Sequence, residues 1–127
     1  MKNGNFLIRA GFGLLFIWGG LEKFFEGFLG GVGLDNMAAF LSSSGLGFLG
    51  ETGTYVLGAI LAVLELVAGI ALIINKKLFE AYLILAFIML IALVMVHIPS
   101  GVWMNIMIHL TLFLTLLGLC LNSRSAK

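Results

Sequence analysis

Four continuous apolar stretches, over residues 6–25, 55–74, 78–96 and 102–121, account for most of the chain. A helix needs about 20 mostly apolar residues to cross a hydrocarbon core of about 30 Å. The stretches do not alternate in polarity as barrel strands do, so they predict helices. One long link, residues 26–54, separates the first two; it is rich in Gly and Ser but holds an apolar run from Leu34 to Leu41. Asp35 or Asn36 can cap a short amphipathic helix there, its apolar face lying on the outer membrane surface or over the bundle; a plain mobile loop is the alternative. The links Asn75-Lys76-Lys77 and His97-Ile98-Pro99-Ser100-Gly101 are short and force antiparallel neighbours. The pattern predicts an all-α membrane protein, a four-helix up-down-up-down bundle forming a single transmembrane domain over residues 1–127.

Composition agrees with a lipid-facing chain. Hydrophobic residues make up 61% and charged residues 10% of 127, and mean hydropathy is +1.18. So small a domain has too much surface for its volume to hide that much apolar area from water. The net charge of +1 provides no field for nucleic acid. The single cysteine, Cys120, excludes an internal disulfide and a CxxC redox pair. Gly19-Gly20-Leu21-Glu22-Lys23 offers no small-residue cleavage site, so the first stretch is expected to be retained.

Cations set the expected orientation. Lys2 and Arg9, Lys76 and Lys77, and Arg124 and Lys127 fall on one side. Lys23 falls on the other, with Glu22, Glu26, Asp35 and Glu51. The positive-inside rule then places both termini in the cytoplasm, with Trp18 and Trp103 towards the outer interface.

The chemistry rests on a few polar residues inside these spans. An ionisable side chain at mid-bilayer costs at least about 2.5–3.5 kcal/mol, so it turns inward and takes a partner. Glu65 is the sharpest case, too deep for its short carboxylate to reach an interface. It shares a face with Gly58, Ala62 and Gly69. Arg9, Gly13, Phe16, Gly20 and Lys23 share one face of the first helix. By charge, Arg9 is the expected partner of Glu65, while Arg9 and Lys23 can each instead snorkel to an interface. His97 ends the third helix. His109 lies about 10 Å below the same surface, with Asn105 one turn away on its face. Lys23, Glu65, His97 and His109 can thus surround an outer-half pocket. A quinone suits such a pocket, since its carbonyls need donors and its reduction needs protons. The bland alternatives are an ion pair used for packing and hydrogen-bonded structural histidines; a b-type haem held by the two histidines is a weaker possibility. No spacing supports a metal site. Gly45-Leu46-Gly47-Phe48-Leu49-Gly50 has the letters of a dinucleotide fingerprint, but no strand precedes it.

Arg9-Ala10-Gly11-Phe12-Gly13 and Phe16-Ile17-Trp18-Gly19-Gly20-Leu21-Glu22-Lys23 resemble the first helix of the DoxX family. Leu64-Glu65-Leu66-Val67-Ala68-Gly69-Ile70-Ala71-Leu72, followed by a short basic turn, resembles its second, and His97 ends the third helix where that family tends to carry histidine. The resemblance covers Arg9 to about His97. One departure is that the chain's only proline is Pro99, where the family often has one in the loop after helix one. The resemblance implies a multi-pass protein of the bacterial inner membrane. Some family members are subunits of quinone-linked oxidoreductases, including a thiosulfate:quinone type, and others associate with redox or oxidative-stress complexes.

Three classes of function follow. The first is a membrane subunit of a redox or electron-transfer system that binds quinone, in contact with other membrane or redox subunits. The second is a non-catalytic structural or assembly subunit. The third is a transporter or channel subunit, which would have to form a homo-oligomer, with Gly11, Gly13, Gly19 and Gly20 as contacts.

Overall fold

The computed structural model describes residues 2–25, 27 and 33–125; Glu26 and Lys127, used above for orientation, lie outside them. The elements are α1 (Lys2–Phe24), α2 (Gly33–Leu41), α3 (Gly50–Ile74), α4 (Leu78–Ala92) and α5 (Trp103–Ser125). A π-helical turn, Ser42–Leu46, and a 3-10 turn, Gly47–Leu49, join α2 to α3. Beyond α4 the chain stays helical through a π turn, Leu93–His97, and a last turn, Ile98–Ser100. No strand occurs among the described residues.

Among the described residues, four helical segments are long and apolar enough to cross a membrane: Gly4–Phe24, Gly47–Ile74, Leu78–Ser100 and Trp103–Ser123. Their outward faces carry bare large apolar side chains, such as Leu7, Val67, Phe87 and Trp103. In water such a surface drives association, whereas lipid solvates it. With the four spans antiparallel, Lys2 and Ser125 lie at one end of the bundle, here called the terminal end; α2 and the α4–α5 link lie at the other, the α2 end.

α3 starts at Gly50, about a turn before the apolar run begins, and α5 extends past residue 121 to Ser125. The glycines at 45–50 that imitate a nucleotide fingerprint serve as turn residues, with Gly45 at φ 98° and Gly50 at φ 79°, conformations that cost a side chain dearly. The α3–α4 link is a three-residue reversal in which Asn75 (φ 61°) and Lys77 (φ 54°) both adopt the left-handed conformation.

Two close pairs form the bundle, α1 with α3 and α4 with α5, and α3 packing on α4 joins them. The core between them contains Phe16, Leu72, Leu85, Leu116 and Cys120. Where α1 crosses α3 the backbones nearly touch. A Cβ at Gly20 would lie 2.6 Å from the Ala62 carbonyl oxygen, and one at Gly69 would lie 2.8 Å from the Gly13 carbonyl oxygen. Lipid provides no hydrophobic force to hold helices together, so close packing across small residues does that work. Gly13, Gly19 and Gly20 are therefore occupied within the chain. Of the four glycines considered for contacts between copies, only Gly11 faces open space.

α2 folds back over the bundle. Met37 and Leu41 reach Gly58 of α3, and Leu41 is buried. Asp35 sits in the first turn of α2, where a carboxylate favours the helix N-terminus.

Candidate functional site

The antiparallel register of α1 and α3 decides which cation meets Glu65. Gly13 packs between Gly69 and Ile73, and Gly20 between Ala62 and Leu66, which brings Glu65 level with Gly19. Arg9 is ten residues before that level, about 15 Å along the helix. Lys23 is one turn beyond it, and helical side chains lean towards their own N-terminus. The Lys23 ammonium accordingly reaches back, donating to the Gly19 carbonyl at 3.2 Å and to Glu65 Oε2 at 2.8 Å. Glu22 Oε1 lies 3.7 Å from the same nitrogen. The partner of Glu65 is therefore Lys23 and not Arg9, and Lys23 does not snorkel outward. The carboxylate itself is buried, with 5% of its side chain exposed.

Gly19 makes room for this pair. A Cβ there would come within 3.1 Å of Glu65 Oε2. Phe16 and Gly20 on the same face are buried, so the whole inward stripe of α1 either packs on α3 or holds its carboxylate.

Arg9 works at the terminal end. Its Nη1 donates to the Leu72 carbonyl at 3.1 Å, and its guanidinium lies 5.8 Å from the centre of the Phe6 ring. The last carbonyls of a helix lack intrahelical donors and carry partial negative charge, so a cation is favoured there.

The Lys23–Glu65 pair forms part of the wall of a cavity of about 530 Å³ at the α2 end. Met37, Phe40 and Leu41 of α2 cover it, and Ile88, Met89, Ala92 and Met95 close it from the α4 side. His109 reaches it from α5. The lining is mostly apolar, with its ionisable groups arriving from three separate helices. Such a volume and composition are typical of small-molecule sites.

His97 and His109 form one unit. Their rings stack at 3.7 Å between centroids, 26° from parallel. The π turn at Leu93–His97 widens α4 by a residue and positions the His97 ring against His109. His109 Nδ1–H donates to the Asn105 carbonyl at 2.8 Å. A carbonyl can only accept, so in the neutral ring the proton is on Nδ1 and Nε2 keeps its lone pair. Asn105 thus acts through its backbone, with its side chain exposed. With the two rings face to face, no macrocycle fits between them, which removes the bis-histidine haem arrangement.

Of the six residues picked from sequence, Glu65, Lys23 and His109 meet at the cavity. His97 and Asn105 stand behind His109, and Arg9 lies at the opposite end. Glu22 and the α2 residues were missed as lining. For α2 the only signal was the apolar run Leu34 to Leu41, which shows that a helix forms but not where it docks.

No curated protein and no solved structure matches the chain. The family model for DoxX matches residues 4–98, a stretch that holds all but the first two residues of α1, the whole of α2 to α4, and with them the Lys23–Glu65 pair. The chain belongs to the DoxX family.

Proposed function

We propose that the protein is the membrane subunit of a bacterial inner-membrane redox system and binds a quinone in the cavity at the α2 end. The observation that carries this is the placement of the buried Lys23–Glu65 pair and His109 on one largely apolar cavity. Quinone is an apolar molecule with polar carbonyls, and it lives in the bilayer. A bound quinone supplies two-electron, two-proton chemistry. The Lys23 ammonium provides a hydrogen-bond donor, Glu65 holds that ammonium in place, and His109 Nε2 provides an acceptor whose orientation the Asn105 carbonyl fixes. The apolar wall excludes bulk water. Electrons come from a partner subunit. With Arg9, Lys76 and Lys77 on the cytoplasmic side, the cavity opens in the outer half of the membrane.

Quinone titration of purified protein, followed by quenching of Trp fluorescence, tests this. Glu65→Gln and His109→Ala are each expected to weaken binding about tenfold or more, about 1.4 kcal/mol, with the helical content unchanged. Wild-type affinity in both variants refutes the quinone site.

The two hydrogen bonds that tie Lys23 to Glu65 and to the Gly19 carbonyl favour a second role, a structural or assembly subunit in which the ion pair fixes helix register. That role predicts that Glu65→Gln lowers stability and leaves quinone titration silent even in the wild type.

A further inference from the structure

A second cavity, of about 680 Å³, lies at the terminal end and has a different character. Its lining includes Asn5 and Arg9 of α1, Asn75 and Lys77 of the α3–α4 turn, Tyr82 of α4 and Asn122 of α5. Two cations on separate elements therefore face one space, and no carboxylate among the described residues lines it. Arg9 uses Nη1 for the Leu72 carbonyl, and a guanidinium has five N–H donors in all. Tyr82 is only 3% exposed, yet it lines this cavity and its hydroxyl has no hydrogen-bond partner among the described residues. No buried side-chain oxygen or nitrogen among the described residues lacks a partner, so the hydroxyl is open to the cavity, where it can donate to a ligand oxygen. The cavity also opens beside the start of α4, where Lys77 provides no side-chain cap and the helix end carries partial positive charge.

We propose that this cavity binds a phosphate group, with Arg9 and Lys77 as the charge partners and the Tyr82 hydroxyl as a neutral donor. The site lies about 21 Å along α1 from Lys23 and is separate from the cavity at the α2 end. Its remaining walls, Ile8, Leu78 and Leu119, are apolar, and its volume far exceeds a bare phosphate. Both features suit the phosphodiester and glycerol of an anionic phospholipid. Basic pockets between membrane helices recognise such headgroups, at about 1 kcal/mol for each cation.

Native mass spectrometry of the whole protein, released from bilayers of phosphatidylglycerol mixed with phosphatidylcholine, tests the proposal. The wild type is expected to retain phosphatidylglycerol in preference. Lys77→Asn, a residue that tolerates positive φ, and Arg9→Gln should each lower that retention about fivefold, and together roughly twenty-fivefold. Tyr82→Phe should lower it without altering charge. Lys77 is exposed, so its variant reads the site even if Arg9→Gln proves unstable. A parallel arm adds inorganic phosphate to protein in phosphatidylcholine alone. A rise in Tm that Lys77→Asn abolishes identifies free phosphate as the ligand. Equal retention of the two lipids together with no response to phosphate overturns the proposal, as does a lipid preference unchanged in all three variants.

Discussion

Replacing Lys23 with Met is expected to destabilise the protein by about 3–5 kcal/mol, the largest effect of any single side-chain truncation in the bundle. The substitution leaves the Glu65 carboxylate buried between helices with its principal donor removed. Glu65→Leu in the same background should recover most of the loss, because an apolar pair of similar volume carries no desolvation cost, and in lipid that cost is at its highest. Arg9→Met should cost less, since it removes one hydrogen bond to a helix-terminal carbonyl near an interface. Unfolding in detergent with a double-mutant cycle over positions 23 and 65 measures the coupling, and the same cycle over positions 9 and 65 should give a value near zero.

Gly20→Leu should be comparably damaging for a different reason. Even the first carbon of a side chain would lie 2.6 Å from the Ala62 carbonyl oxygen and 3.0 Å from Leu66 Cβ. Neither backbone can yield without separating α1 from α3, and separation would also pull Lys23 away from Glu65. Overpacking in a close-packed interior costs about 1–3 kcal/mol, and here the clash is with main chain, so we expect about 3 kcal/mol or more and poor recovery of folded protein. Gly11→Leu is the control. Its Cβ meets nothing within 4 Å, so the folded yield and unfolding temperature should stay near wild type.

The two predictions show why some of the site was legible in the sequence and some was not. That Gly13, Phe16 and Gly20 form the inward stripe of α1, and that Glu65 faces inward with Gly58, Ala62 and Gly69, follows from helical periodicity and from the cost of a carboxylate in hydrocarbon. The identity of the counter-ion does not follow. It depends on how far α1 slides along α3, and the long link between them leaves that free; the glycine contacts at 13–69 and 20–62 fix it. Choosing Arg9 by charge alone overlooked an offset of about 15 Å.

The α2 end repeats the lesson. The run from Leu34 to Leu41 announces a helix, but its docking over the cavity depends on Gly58 receiving Met37, a contact visible only once the fold is assembled. Residue count puts both histidines in the same half of the bundle, with His97 at the end of its helix and His109 about 10 Å deeper. Their stacking depends on the π turn at Leu93–His97, and no residue type in Leu93-Val94-Met95-Val96-His97 announces that turn.

The most direct test of the proposed function is photolabelling with an azido-quinone in native membranes, followed by peptide mapping. Label should appear on the α2 segment around Met37 and Phe40 or on the α4 segment from Met89 to Met95, and unlabelled quinone should compete it away. Label confined to lipid-facing positions such as Val67, Phe87 and Leu114, or label that excess quinone leaves in place, would contradict a quinone site built around Lys23, Glu65 and His109.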